Sequence, residues 1–256
     1  MNMKLHPTSS SILILFFLGA IQTKLAHADV VQVAVAANFE PTLRAMTAGF
    51  EHRSGHQISI TSGATGRFYQ QIRRGAPFDV LLAADSSTPA GLGQEGLGLP
   101  GTRFTYATGH LALWSREAGY VDAEGGILQH GQFQHLAIAN PLTAPYGAAA
   151  LAVMQQLGIH EQLHERIVQG ESIAQAYQFV ASGNAELGFV ALSQIMVDGQ
   201  LTSGSAWIVP DAMHQPIRQD AILLQPGASN PAAKALLDYL RTDDARKTMA
   251  AYGYTP

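Results

Sequence analysis

The chain has 256 residues, 47% of them apolar and only 13% charged, with a formal net charge of −4 and no cysteine. That length can bury one large core or two modest ones. The lack of cysteine excludes disulfides, thiolate metal sites and cysteine nucleophiles, and an acidic chain without a basic stripe argues against nucleic acid as a partner.

Residues 1–28 read as an export signal. Lys4 lies in a short leading region, Ile12 to Ile21 is a compact apolar run, and Ala26-His27-Ala28 offers a cleavage site before Asp29. Ten apolar residues fall short of the roughly 20 that span a bilayer. No later stretch is long and apolar enough either, so no membrane insertion is expected once the signal is removed. About 228 residues then remain, and an exported chain without disulfides must rely on its core.

Beyond the signal, short β-rich runs alternate with amphipathic helical stretches. Val30–Ala36 predicts a strand and Pro41–Arg53 a helix ending near Gly55. Gln57–Thr61 predicts a second strand, Arg67–Arg74 a helix closed by Gly75, and Asp79–Ala83 a strand apolar on both faces. A long β-rich stretch, Phe104–Trp114, opens a second series. It continues with strand His135–Ala139, helix Gly147–Leu157, helix Ile173–Ser182 and strand Leu187–Val190. Strand Asp220–Leu224 and helix Pro231–Arg241, capped by Asn230, complete the chain. Such alternation specifies an α/β protein with parallel sheets covered by helices. Two lobes fit better than one sheet: residues 29–107 with 218–256, and residues 108–217, with crossings near Ala107 and Ile217.

Four segments share a plan in which a strand ends, small or hydroxyl residues follow, and a helix begins. They are Ala36-Ala37-Asn38, Ser62-Gly63-Ala64-Thr65-Gly66, Ala144-Pro145-Tyr146-Gly147 and Glu171-Ser172-Ile173. The first N–H groups of a helix lack intrahelical partners, and the helix dipole places about half a positive charge there. A dianion can be held by such groups without lysine or arginine, with Asn38 and Thr65 as candidate side-chain donors. Taken singly, each turn reads equally well as ordinary capping and turn chemistry.

In sequence order, the chain carries Ala36-Ala37-Asn38-Phe39, Ser62-Gly63-Ala64-Thr65-Gly66, Gly75-Ala76-Pro77-Phe78-Asp79-Val80 with Ala83-Ala84-Asp85, Asn140-Pro141 through Ala144-Pro145-Tyr146-Gly147, Leu187-Gly188-Phe189-Val190-Ala191 and Tyr252-Gly253-Tyr254. This ordered set resembles the periplasmic molybdate-binding proteins of ABC transporters across nearly the whole mature chain. The resemblance implies a two-lobed Venus-flytrap fold of the type II class, with a small oxyanion in the cleft between lobes. It also implies a periplasmic, non-enzymatic, monomeric receptor without a cofactor, which takes up molybdate and tungstate and docks on the membrane permease of an ABC importer. Carried over by position, the oxyanion-binding residues are Ala37, Asn38, Thr65, Tyr146 and Ile173. Thr65 would give hydroxyl and N–H, and Tyr146 and Ile173 their backbone N–H groups. Many members carry a tyrosine where this chain has Ala191, and Asn38 stands where serine is common; the Tyr146 ring is a candidate replacement for the missing hydroxyl.

Other oxyanions, such as sulfate or thiosulfate, are the alternative ligands. A small carboxylate would call for an arginine clamp, for which Arg67, Arg73 and Arg74 are available. Asp79 and Asp85 read as capping or pairing groups rather than catalytic ones. His160-Glu161-Gln162-Leu163-His164 matches the H-E-x-x-H signature of zinc metallopeptidases. Against that reading, Gly158 ends the preceding helix, Ile167 and Gly170 stand where a third-ligand extension would lie, and Asn184 stands where a distant glutamate ligand would. No protein-ligated metal is expected.

Overall fold

The computed structural model describes residues 1–2 and 28–256. The expected export signal therefore lies, but for its ends, outside the described residues.

Twelve strands and nine α-helices alternate along the described chain. The first series is β1 (Val30–Ala36), α1 (Glu40–Ser54), β2 (Gln57–Gly63), α2 (Thr65–Arg73), β3 (Val80–Leu82), α3 (Ser87–Gln94) and β4 (Phe104–Gly109). The second is β5 (Leu111–Ser115), α4 (Ile127–His130), β6 (Leu136–Ala139), α5 (Pro145–Gln156), α6 (His160–Leu163), β7 (Ile167–Gly170), α7 (Ile173–Ala181) and β8 (Leu187–Ala191). The hairpin β9 (Met196–Val197) and β10 (Gln200–Leu201) precedes β11 (Ser205–Ile208), β12 (Ile217–Leu223), α8 (Pro231–Tyr239) and α9 (Asp243–Ala251).

Two five-stranded sheets result, of order β2-β1-β3-β12-β4 and β11-β5-β8-β6-β7. In each, three parallel neighbours sit beside antiparallel strands: β1 pairs in parallel with β2 and β3, and β6 with β7 and β8. β12 runs antiparallel to both β3 and β4, and β5 antiparallel to β8 and β11. The chain leaves the first sheet after Gly109 and returns to it at Ile217. The stretch Phe104–Trp114, read as one run, is thus two strands in different sheets, broken at Gly109 and His110.

Burial follows from the parallel pairing. Val80, Leu81 and Leu82 are inaccessible, as are Val33, Ala34 and Val35, because helices cover both faces of the first sheet. Phe39, Leu43, Met46 and Phe50 of the α1 region pack on one face beside Leu236 and Met249, and Phe68, Ile72 and Leu92 pack on the other. The core of the second sheet, built on Trp114, Met154, Val180 and Phe189, extends to Ala36, Ala37, Ala64 and Ala84 of the first. The two cores therefore meet at the turns after β1, β2 and β3.

Helix ends follow the local chemistry. Gly55 closes α1 in the left-handed conformation, with φ of 71°. Asn230 caps α8 by accepting from the Ala232 N–H, as expected, while its amide donates to Asp79 and to the Val30 carbonyl. Asp79 also accepts from the Gln32 N–H, so it ties strands together rather than pairing with a base. Asp85 accepts from the N–H and hydroxyl of Thr88 at the start of α3.

Candidate functional site

All four strand-to-helix turns form. Asn38 lies between β1 and α1; a single residue, Ala64, separates β2 from α2; Ala144 precedes α5; and Ser172 precedes α7. The turn after β2 is tighter than the sequence predicts, because the strand continues through Gly63. Residues from these turns line one small cavity between the sheets: Ala37, Asn38, Thr65, Tyr146 and Ile173, together with Ala36, Gly63, Ala64, Ala84, Ala144 and Pro145. The first five are each no more than 4% exposed.

The backbone hydrogen bonds around this cavity leave a pattern of vacant donors. Ala37 N–H bonds the Gly63 carbonyl, Phe39 N–H the Ala36 carbonyl, and Gly147 N–H the Ala144 carbonyl. Gln175 N–H reaches the Ser172 hydroxyl. Between them, the N–H groups of Asn38, Thr65, Tyr146 and Ile173 make no hydrogen bond among the described residues. Buried N–H groups are almost always paired. Four vacant ones on one cavity, three of them in the first turn of a helix, mark a site for an acceptor-rich ligand. The Thr65 hydroxyl adds a fifth donor: its oxygen accepts from the Ala84 N–H at 3.0 Å, which leaves its own hydrogen for the cavity.

Two side chains differ from expectation. Asn38 was expected to offer its amide, but both amide hydrogens are taken, by Gln219 Oε1 at 2.9 Å and the Tyr254 hydroxyl at 3.0 Å. Only its backbone N–H remains. Ala37 forms wall, not donor. The Tyr146 hydroxyl lies against Gly109 and accepts from Gln219 Nε2 at 3.3 Å. Gln219 itself escapes the sequence reading, whose strand begins one residue later at Asp220, whereas β12 starts at Ile217.

Among the described residues, no lysine, arginine, aspartate, glutamate or histidine lines the cavity. Its one titratable wall residue, Tyr146, is held well above the ordinary phenol range by burial, as is Tyr106 behind it. Burial likewise pushes Tyr254 up to about 12. The phenols thus stay protonated at neutral pH. Asp85 lies outside this cavity, in a wider, open groove alongside that Ser86, Ser87 and Thr88 also line. Arg67 forms an ion pair with Glu171 across the two sheets, and Arg73 one with Glu95 at 3.0 Å; neither guanidinium lines the cavity.

The two sheets touch around the site. Gly66 N–H donates to the Thr143 carbonyl at 2.9 Å, and Ser193 Oγ to the Asn38 carbonyl at 2.9 Å. A Cβ on Gly66 would stand 3.0 Å from Thr143 Cα, so this approach needs glycine.

The chain matches the family described as bacterial extracellular solute-binding protein over residues 31–255. It is 55% identical to the molybdate-binding protein ModA of Azotobacter vinelandii, over 90% of this chain and 91% of that one. To the ModA of Rhodobacter capsulatus it is 48% identical, over 90% and 89%. The chain belongs to the ModA family of bacterial extracellular solute-binding proteins. A solved periplasmic molybdate-binding protein of Azotobacter vinelandii superposes with a TM-score of 0.86 at 39% identity, covering 88% of this chain and 99% of that one. These ModA relatives are binding proteins, not enzymes. The metallopeptidase alternative is not favoured, and the local structure gives the reason. His160 lies on α6, which stops at Leu163, and His164 opens a 3₁₀ turn. The two rings meet edge to face with centroids 6.3 Å apart. No cluster of three or more metal-ligating side chains occurs among the described residues. Nor is any helix among them long and apolar enough to cross a membrane.

Proposed function

We propose that this ModA-family protein captures molybdate, and tungstate as a second ligand, in the cavity between the two sheets, and delivers it in the periplasm to the permease of an ABC importer. The lobes would be residues 29–107 with 218–256, and 108–217, closing over the anion as a monomer exported by a cleavable signal. The observation that carries this reading is the set of four vacant N–H groups on Asn38, Thr65, Tyr146 and Ile173. Ala37 would pack against the anion, and the Thr65 hydroxyl would add a fifth hydrogen bond.

The chemistry of the lining supports a fully deprotonated tetrahedral dianion. The helix starts supply partial positive charge at no desolvation cost for a formal cation. A protonated oxyanion such as hydrogen phosphate would bury an O–H against donors alone, which is unfavourable. A carboxylate ligand would want an arginine fork, and Arg67 is engaged with Glu171.

Thermal unfolding of the mature protein with molybdate, tungstate, sulfate or phosphate tests the reading. A ligand at a hundredfold excess over its Kd stabilises the fold by about 2.7 kcal/mol, a rise of several degrees at this size. Molybdate and tungstate are expected to raise the midpoint well beyond sulfate and phosphate, with or without a chelator. Equal shifts by all four anions, or none by molybdate, would remove the assignment.

A further inference from the structure

Gln219 lies in β12, where pairing with β4 slips between Gln219 and Asp220, and its side chain is wholly buried. A buried amide must satisfy donors and acceptor alike. Oε1 accepts from Asn38 Nδ2 at 2.9 Å and from the Tyr106 hydroxyl at 3.0 Å, and Nε2 donates to the Tyr146 hydroxyl at 3.3 Å. Asn38 precedes α1 and Tyr106 lies in β4, both with the first sheet; Tyr146 stands in α5, which covers the second. One amide thus joins two of the four residues whose vacant N–H groups line the cavity, and joins them across the sheets.

The surroundings leave this link little freedom. The Asn38 carbonyl accepts from the Tyr254 hydroxyl and from Ser193 Oγ, each at 2.9 Å, so its peptide is held at side chain and carbonyl while its N–H stays free. Tyr146 Oη and Gln219 Nε2 both occupy the space that a Cβ on Gly109 would need. The phenol spans from the N–H at the cavity to the crossover strand in a slot left by that glycine.

We infer that Gln219 is a positioning residue for anion capture: its amide fixes the Asn38 and Tyr146 N–H groups at the spacing that one tetrahedral anion bridges. A methionine would fill about the same space without the amide, so Gln219→Met separates the polar pattern from the volume. The inference rests on the anion-site reading above and adds the residue that sets its geometry.

The full mature chain is titrated calorimetrically with sodium molybdate and with sodium sulfate, as wild type, Gln219→Met, Tyr146→Phe, the double variant and Thr65→Ala. Gln219→Met and Tyr146→Phe are each expected to weaken molybdate binding tenfold or more and to lower the molybdate-to-sulfate ratio. The double variant should be no weaker than Gln219→Met alone, because that variant already removes the contact that Tyr146→Phe cuts. A purely structural role would lower the melting point of the anion-free protein while leaving the Kd and the ratio of the folded protein unchanged, which would overturn the proposal. If those variants bind as wild type does while Thr65→Ala does not, the positioning role fails and the anion site stands. If Thr65→Ala binds like wild type, the site reading fails and takes this inference with it. Should Gln219→Met not fold, Tyr146→Phe, which removes one oxygen from the same link, decides by the same criteria.

Discussion

Thr65 divides its hydrogen-bonding capacity between structure and site. Its oxygen anchors the Ala84 N–H behind it, while its hydrogen and its own N–H face the cavity. Thr65→Ala removes one donor to a charged ligand, an interaction of about 1.5–3 kcal/mol, and orphans the Ala84 N–H. Molybdate affinity is therefore expected to fall roughly 10- to 100-fold by calorimetry, with a smaller loss in the stability of the anion-free protein. Thr65→Ser, which keeps the hydroxyl, should recover most of the binding. The place of Thr65 at the cavity was legible because its turn combines glycine, a hydroxyl and a helix start within five residues. Asn38 was legible only by half. Its partners Gln219 and Tyr254 stand 181 and 216 residues away, and no local pattern reveals that they consume its amide.

Among the elements, β12 does the most tying. Asp220, next to Gln219, is 2% exposed and accepts from Arg103 Nη1 at 2.8 Å, Thr105 Oγ1 at 2.7 Å and Ser86 Oγ at 3.3 Å. It therefore holds β12 to β4 and to the start of α3 at the slip in register. The two partners of this ion pair are unlike: the Arg103 side chain is 46% exposed and that of Asp220 only 3%. Arg103→Ala strands a buried carboxylate, whereas Asp220→Asn leaves a guanidinium that reaches water. Arg103→Ala should accordingly cost roughly 1–3 kcal/mol in denaturant unfolding, and Asp220→Asn less. Most elements can be read from the chain because parallel strands buried on both faces leave apolar runs punctuated by glycine and caps. The break between β4 and β5 is read only roughly, as a crossing near Ala107 within one β-rich stretch, whereas β4 runs to Gly109 and β5 starts at Leu111. α9 was missed, although Thr242 accepts from the Ala245 N–H as an ordinary cap.

For the whole molecule, the decisive region is where the two sheets touch. Gly66→Ala would press a methyl group onto Thr143 and hold the sheets a few tenths of an ångström apart. It is expected to weaken molybdate about tenfold, close to 1.4 kcal/mol, and to enlarge the radius of gyration of the bound form in solution scattering. The Arg67–Glu171 pair at the same junction is more than half exposed on both sides, so Arg67→Ala should change affinity by less than about 1 kcal/mol. Binding should also be flat between pH 6 and 9, since the titratable group on the cavity wall is a phenol shifted upward. Stability has a different limit. Tyr106, Tyr146 and Tyr254 ionise above their ordinary range when folded, so the unfolded chain loses these protons first. Stability from their burial is complete below pH of about 10 and declines as pH rises past it. Tyr106→Phe should flatten that alkaline decline in melting curves.

A site built from main-chain N–H groups is inherited differently from one built from side chains. Nineteen of the twenty amino acids carry the same donor at position 173, so drift there leaves the ligand bond intact; proline alone deletes it. Ile173 opens α7 and follows Ser172 in extended backbone, with φ of −147° and ψ of 169°, a setting that accepts proline. Ile173→Pro should therefore fold and yet bind molybdate far more weakly than Ile173→Ala, which loses the same buried side chain but keeps the donor. In descendants of this chain, the trace of the lost function would be an imino acid at a helix start.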